Sequence, residues 1–413
     1  ECHTAIDKLH ETRIRRLHHL LWRIRASHNL AETIAHYGQL RFTYLVSGWV
    51  PTSQMDRFRQ IVGLASGDVQ IEESRPNTED KADIPSALDS PPILKAFQGL
   101  VTSFGHPKYG EANPTLVVAL TFPLVFGVMF GDVVHGLVLA LLGGLMASRL
   151  VPKLRKMAPL GTILIACGVS ATIFGFLYNS VFGIEPFFDS YNLLSPLHEP
   201  TVILQVAIFL GAGLLSLGMV LSAINDVRIG RWGHALFGHS SLASLVFYWS
   251  LIGLAASILG TELPAGQLGV AAIVSGLAVA FGKALGRLID GHRPIIDDNI
   301  VTYLMQGFFG VFEMIIGLLS NTLSYVRVGA FAVAHGALGV VVLDVATALA
   351  SEGSVPYWSI IALGNLFIIG FEGMIVTIQT LRLEYYEFFG RFFSGDGVRY
   401  APMKLTRREG AQQ

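Results

Sequence analysis

The feature that most constrains this chain is a series of long apolar runs that begins near Pro114 and continues to about residue 393. Runs of about 20 mostly apolar residues are long enough to cross a lipid bilayer as helices. The composition agrees, because 52% of the 413 residues are hydrophobic and only 14% are charged, whereas soluble domains carry about 25% charged residues. The sequence therefore predicts a mainly α, polytopic membrane protein.

Eight membrane-spanning helices are predicted. Their approximate bounds are residues 115–131, 133–149, 159–182, 201–224, 241–260, 266–284, 305–350 and 357–393. The last two are much longer than a perpendicular crossing requires, so they are expected to tilt strongly or to project beyond the membrane.

The distribution of basic residues predicts the orientation of these spans. Lys and Arg occur in the loops 149–156, 225–239 and 283–303 and in the C-terminal tail, but the alternate loops contain none. Basic loops stay preferentially on the cytoplasmic side. An even number of spans with both termini in the cytoplasm satisfies every loop.

Residues 1–92 have the composition of a soluble region. A long charged helix is predicted within residues 3–40, and strands are predicted at 41–51 and 68–74, with a short helix at about 53–65 between them. Residues 74–92 are rich in Pro and Asp, as linkers are. We therefore predict a small α/β lobe on a helical stalk, followed by a transmembrane domain over residues 93–413.

Two arginines, a histidine and a glutamate lie within the hairpin 305–393. Arg327 and His335 precede the turn at Ser351 by 24 and 16 residues, and Glu372 and Arg382 follow Pro356 by 16 and 26 residues. If both helices are regular, Arg327 lies at the depth of Arg382, and His335 at the depth of Glu372.

The helical phase adds further polar residues to the same narrow stripe. At about 100° per residue, Glu313, Ser320 and Ser324 lie near the face of Arg327, and Gln379 lies between Glu372 and Arg382. Carboxylates and imidazoles on both sides of a fixed positive barrier are typical of two offset aqueous half-channels. A mobile carboxylate on another element would then carry the ion past the arginines.

Simpler interpretations remain open for single members of this set. His335 could be a hydrogen-bonded packing residue, Arg382 could extend its charge towards the membrane surface, and Glu313 could cap or pair with backbone. Asp132 and His135 lie three residues apart where the first two spans turn back. A metal site there would need a third ligand, and the sequence shows none nearby, so structural hydrogen bonding at the turn is expected.

Several classes of function have no support in the sequence. The cysteines, Cys2 and Cys167, are too few and too far apart for a disulfide framework or a metal cluster. The sequence contains no G-x-x-x-x-G-K-[ST] phosphate loop and no basic stripe interleaved with aromatic residues. We therefore expect no cofactor, no metal, no nucleic-acid partner and no ATP chemistry on this chain.

Five separate segments resemble the membrane stator subunit of V-type and archaeal-type rotary ATPases, called subunit a or subunit I. They are "LSYVRVGAFAVAH", "FEGMIVTIQTLRLEYYEFFGRFF", "VMFGDVVHG", "GWVP" and "FGHPKYGEANPT". Val134 departs from the family pattern, which usually has a small residue at this position.

The resemblance implies an ion-translocating, non-catalytic stator subunit. Arg327 would be the principal arginine facing a carboxylate-bearing proteolipid c-ring, with Arg382 as its partner. Glu313 and Ser320 would line the cytoplasmic half-channel, and the outer half-channel would be lined by His335, Glu372 and Gln379.

The resemblance also implies partners and a location. The partners would be the c-ring, peripheral stalk and other ATPase subunits, and membrane lipid. Only the end of the family's two-lobed cytosolic domain is recognisable, so we expect a further part of that domain to precede residue 1. The short outer loops favour a prokaryotic plasma membrane.

Two rival functions remain at this stage. A secondary transporter could use Arg327 to bind an anionic substrate, although such folds usually show internal repeats and broken helices. An assembly scaffold could use the buried charges only to specify packing.

Overall fold

The computed structural model describes the chain in two compact units. Residues 1–85 and 399–413 form one unit, and Ser86–Val398 form the other. The described residues are 13–14, 16–17, 19–28, 31–32, 38–39, 44–65, 69–74, 84–88, 90–148, 157–182, 194–258, 260, 262–291 and 299–402. The predicted basic loop 149–156 and most of the predicted linker and C-terminal tail lie outside them.

The smaller unit contains short elements. Residues 19–28 are helical, as predicted. The predicted helix does not extend to residue 40, because the strand β1 (Gly38–Gln39) pairs antiparallel with β2 (Tyr44–Leu45). A 3₁₀ turn leads into helix α1 (Met55–Ala65), where a short helix was predicted.

The strand predicted at 68–74 is not present in its described part, residues 69–74. An ion pair holds this segment instead, because Arg59 Nη2 of α1 lies 2.6 Å from Glu73 Oε2. The hydrogen bond from Arg59 holds the pKa of the Glu73 carboxyl below its ordinary value. Of the strand predicted at 41–51, only the two residues of β2 are extended and paired in the described region.

The larger unit is helical, and its helices are numbered α2 to α14 in chain order. Their bounds are α2 Lys95–Phe104, α3 Thr115–Met129, α4 Val133–Ala147, α5 Ala158–Tyr178, α6 Pro200–Ile229, α7 Trp232–Phe237, α8 Leu242–Ile258, α9 Ala265–Ala280, α10 Gly282–Asp290, α11 Ile300–Ser324, α12 Val326–Leu349, α13 Val355–Phe367 and α14 Gly373–Arg382. The prediction of a mainly helical chain is confirmed. Part of the predicted loop 225–239 is helical, because α6 continues to Ile229 and α7 follows.

Five helical segments in the described residues are long and apolar enough to cross a membrane. They are Ala158–Tyr178, Pro200–Ile229, Trp232–Ile258, Ile300–Leu349 and Val355–Arg391. A sixth candidate is the pair α9 and α10, which is bent by 66° at Phe281. The apolar helices α3 and α4 have 15 residues each. The chain is therefore an integral membrane protein.

The last two segments are not regular helices, contrary to the prediction. Between α11 and α12 the helix is locally tightened at Tyr325, where Tyr325 N donates to Thr322 O and Val328 N donates to Tyr325 O. The buried Tyr325 ring lies against α6 at Gly211, where a Cβ would come within 2.4 Å of the ring. The local distortion thus accompanies close packing of a large side chain.

The final segment contains two π-helical stretches. They are Ile368–Glu372, between α13 and α14, and Leu383–Phe388, which follows α14. Each π turn widens the helix and changes the direction of every later side chain. Insertions of this kind occur frequently at functional sites.

The tightest helix packing is between α4 and α5, and glycine makes it possible. Gly136 and Gly143 on α4 face Gly161, Gly168 and Gly175 on α5, at seven-residue spacing on each helix. A Cβ at any of these positions would come within 2.3–2.7 Å of backbone atoms of the facing helix. Small residues of this kind let membrane helices approach closely.

The two ends of the larger unit are bonded to each other. Ser86 N donates to Val398 O at 2.8 Å, and Gly397 N donates to His106 O at 2.8 Å. Tyr385 Oη, near the end of the last helical segment, donates to Leu100 O of α2 at 2.8 Å. The chain therefore enters and leaves the bundle on the same side.

Candidate functional site

The polar site starts from His335 on α12 and Glu372 at the end of the first π stretch. His335 Nδ1 lies 2.9 Å from Glu372 Oε2, and both side chains are buried. Phe130 covers the imidazole, with a ring-centroid distance of 4.5 Å. The structure thus brings together the two residues that were assigned to the same depth from the sequence.

The network continues from His335 to residues far away in the sequence. His335 Nε2 lies 3.4 Å from His135 Nδ1, and His135 Nε2 lies 2.7 Å from Asn365 Oδ1. The side-chain amide nitrogen of Asn365 donates to Ile361 O at 2.8 Å, and this bond fixes the orientation of the Asn365 side chain. Sequence reasoning missed Asn365, although a lone Asn in an apolar run, seven residues before Glu372, is a usable signal.

Asp132 begins helix α4 and orients this region. Its Oδ1 accepts from the backbone N–H groups of Val134 and His135 at 2.9 and 3.0 Å, and Ser180 Oγ donates to Oδ2 at 3.0 Å. This is the N-capping expected of Asp, and it agrees with the predicted hydrogen bonding at the turn.

The expectation that no third ligand lies near Asp132 and His135 is wrong. His335 lies beside them, and one ligand atom from each of the three residues falls within 4.8 Å of the others. The partner is 200 residues away in the sequence, so only the packing of α12 against the first two spans reveals it.

Arg327 lies on the same helix as His335, eight residues earlier and two residues after Tyr325. Its Nη2 donates to Ser324 Oγ at 3.3 Å, and Ser324 Oγ donates a very short hydrogen bond to Glu387 Oε1. Arg382 is close enough for its positive charge to act on the Arg327 guanidinium. In the described part of the chain, Arg327 Nη1 is buried without a hydrogen-bond partner.

The other predicted residues have fewer contacts. Gln379 is half-buried, and its Oε1 has no hydrogen-bond partner among the described residues. Arg382, Glu313 and Ser320 are exposed. Among the described residues, no hydrogen bond or ion pair joins Glu313 or Ser320 to the residues around Arg327.

Two buried carboxyl groups near the arginines were not predicted. Glu384 and Glu387 lie in the second π stretch and are 3% and 6% exposed. They follow Arg382 by two and five residues, within the span predicted at 357–393. Two acids in "LEYYEFF" are a weak signal, because acids are common at helix ends.

The arrangement separates two chemical environments. The His335–Glu372 network contains groups that can hold and pass protons. The Ser324–Glu387 pair is a separate group, which Arg327 contacts through Ser324 Oγ. Arginine keeps its charge under all ordinary conditions, so it cannot serve as a proton relay between them.

Comparison with known proteins gives a family. A model of the V-type ATPase 116kDa subunit family matches residues 5–199 and 298–405. The matched residues include Asp132, His135 and the whole polar hairpin.

Curated relatives give the same result. An A-type ATP synthase subunit I of Methanocaldococcus jannaschii is 26% identical over 413 aligned positions, covering 91% of this chain and 57% of that protein. The subunit I of Aeropyrum pernix is 29% identical, covering 88% of this chain and 58% of that protein. The subunit I of Methanothermobacter thermautotrophicus is 26% identical, covering 91% of this chain and 54% of that protein. The chain thus spans a little over half the length of these relatives.

Proposed function

Because the chain belongs to the V-type ATPase 116kDa subunit family, we propose that it is the ion-translocating stator subunit of a rotary ATPase of the V/A type. The observation that carries the proposal is Arg327, which lies in an apolar spanning segment and is linked through Ser324 Oγ to the buried carboxyl group of Glu387. An arginine at membrane depth is costly and marks an ion or substrate path. ATP chemistry belongs, in this proposal, to other subunits.

We infer eight membrane crossings. The short helices α3 and α4 supply two crossings, at 15 residues or about 22 Å each. The bent α9–α10 pair supplies one, and the five long segments supply the rest. The bonds between the two ends of the larger unit support an even number. Both termini then lie in the cytoplasm, and the short outer loops favour a prokaryotic plasma membrane.

The proposed ion path has two half-channels that end at the arginines. Glu313, Ser320 and Ser324 line the cytoplasmic half, and His335, Glu372 and Gln379 line the outer half. We add Glu387 to the cytoplasmic half because Ser324 bonds it directly. An ion enters one half, is carried past the arginines by a carboxylate of a moving partner, and leaves through the other half.

The moving partner is proposed to be a proteolipid c-ring. Arg382 and Glu313 are exposed, and the large exposed side chains nearest to them in the sequence are mainly apolar. Charged groups at membrane depth avoid lipid and face polar cavities or partners. A ring bearing carboxylates satisfies this requirement. Peripheral stalk and other ATPase subunits, and membrane lipid, complete the proposed surroundings.

Glu372→Gln is expected to slow ATP-driven proton transport by about 100-fold, which is the lower end of general acid–base contributions. Glutamine keeps an oxygen that can accept from His335 Nδ1, so packing is preserved while the proton-carrying group is lost. The measurement is the initial rate of acidification of proteoliposomes that contain the assembled complex, taken over a range of pH.

The matched control is Glu352→Gln. Glu352 is exposed in the turn after α12, so removal of its charge should leave the rate unchanged. Assembly of each variant is checked by size-exclusion chromatography. If Glu372→Gln pumps at the wild-type rate at every pH, the outer half-channel assignment is wrong.

A further inference from the structure

We propose that Asp132, His135 and His335 form a binding site for a transition-metal cation such as Zn²⁺. The three side chains are 0%, 0% and 2% exposed. Their potential ligand atoms all lie within 4.8 Å of one another. They come from the N-terminus of α4 and the middle of α12.

The distances fit one tetrahedral ion. His135 Nδ1 lies 3.4 Å from His335 Nε2 and 3.7 Å from Asp132 Oδ1. Two nitrogens bound to one tetrahedral Zn²⁺, at about 2.0–2.1 Å each, are separated by about 3.4 Å. The same 3.4 Å is long for a direct hydrogen bond between two ring nitrogens, since N–H donors lie at about 2.7–3.2 Å from their acceptors.

In each imidazole, the ring nitrogen that does not face the proposed ion has a hydrogen-bond partner, as is usual in metal sites. His135 Nε2 lies 2.7 Å from Asn365 Oδ1, and His335 Nδ1 lies 2.9 Å from Glu372 Oε2. Metal-ligating histidines almost always donate their other ring N–H to a carbonyl or a carboxylate. With those protons on the outside, His135 Nδ1 and His335 Nε2 turn their lone pairs towards each other.

Asn365 fixes this tautomer for His135. Its amide nitrogen donates to Ile361 O, so its oxygen is the atom that faces the ring. Asp132 is fixed as well, because three hydrogen bonds orient its carboxylate. The three donor groups are thus held in position before any ion arrives.

The donor set selects the kind of ion. Two imidazoles and one carboxylate suit Zn²⁺ and similar transition metals, whereas Mg²⁺ and Ca²⁺ prefer sites made of oxygen atoms. Three protein ligands leave a fourth position for water.

An effect on transport rests on the proposed function. His335 is assigned there to the outer half-channel, so a cation on His335 Nε2 would occupy the atom that a proton relay needs. Zn²⁺ should therefore inhibit transport from the outer side, whereas the binding itself is independent of that role.

Cobalt and zinc test the binding directly. The purified chain is incubated with Co²⁺, and the visible absorption of tetrahedral cobalt is recorded. In parallel, zinc retained after desalting is measured by mass spectrometry. We expect one metal per chain for the wild type and at least about tenfold weaker binding for His135→Gln and Asp132→Asn, since loss of one ligand or its support typically costs that much. Asn can still cap α4.

The control is His198→Gln. His198 is exposed and bonded to Ser195, so its loss should leave the bound metal unchanged. Zinc should also raise the melting temperature of the wild type but not that of His135→Gln, because a ligand stabilises only a fold that binds it. This second measurement separates lost binding from lost folding.

Two outcomes would overturn the proposal. One is no retained zinc and no cobalt absorption with wild type. The other is equal binding by wild type, His135→Gln and Asp132→Asn. Either result would mean that Asn365, His135, His335 and Glu372 form only a chain of hydrogen-bonded side chains. Failure of the transport function has a different signature, since Glu372→Gln would then pump normally whether or not wild type holds zinc.

Discussion

Replacing Arg327 with alanine is expected to abolish ATP-driven proton transport by the assembled complex. In the proposed mechanism, a fixed positive charge at this position makes a passing carboxylate give up its proton and prevents ions from crossing directly. If the charge supplies about 3 kcal/mol at the rate-limiting step, its loss lowers the rate about 100-fold. ATP hydrolysis should fall with it, because a ring that cannot release its ion cannot turn. The measurements are proteoliposome acidification and ATPase activity of the same preparation.

Two matched variants make this experiment specific. Arg327→Lys keeps the charge but loses the planar fork that reaches Ser324, so transport should be partly retained. Arg231→Ala removes an exposed arginine at the start of α7 and should leave transport unchanged. Full pumping by Arg327→Ala would show that the proposed stator function is wrong. Anion flux by the purified chain alone, lost in the same variant, would favour the transporter instead.

The pairing of His335 with Glu372 could be predicted from the sequence because depth along a helix tolerates small irregularities. One residue changes the position along a helix by only 1.5 Å. The π stretch at Ile368–Glu372 therefore does not prevent His335 from meeting Glu372. Counting from the turn between α12 and α13 was sufficient for this pair.

The direction of the side chains could not be predicted in the same way. One residue changes the helical phase by about 100°, so each π stretch redirects every later side chain. This is why Glu384 and Glu387 are buried, although neither was predicted from the sequence. No sequence pattern in "LEYYEFF" marks the π stretch.

Contacts between helices that are distant in the sequence could not be predicted either. Asp132 and His135 were recognised as a pair, and His335 was recognised separately, but periodicity within one helix cannot say which helices are neighbours. The glycines of α4 and α5 set how closely those two helices pack, and the packing of α12 against α3 completes the cluster.

The glycine contact between α4 and α5 gives the second prediction of large effect. Gly168→Leu is expected to prevent recovery of folded protein, and Gly168→Ala to lower the melting temperature clearly. A Cβ at Gly168 would lie 2.4 Å from Ala140 N and 2.6 Å from Gly136 O, both backbone atoms. Backbone cannot rotate away as a side chain does, so the helices must separate. Overpacking typically costs about 1–3 kcal/mol even where a core can adjust.

The control for this prediction lies on α4 itself. A Cβ at Gly144 would meet nothing within 4 Å, so Gly144→Ala should leave the melting temperature unchanged or raise it, since alanine is the better helix former by about 1 kcal/mol. Thermal unfolding in detergent, with size-exclusion chromatography for the yield, compares the variants. Equal melting temperatures for Gly168→Ala and Gly144→Ala would contradict the proposed contact. Separation of the two helices would also move Asp132 and His135 away from His335, so Gly168→Ala should lose bound cobalt before it loses its helical content.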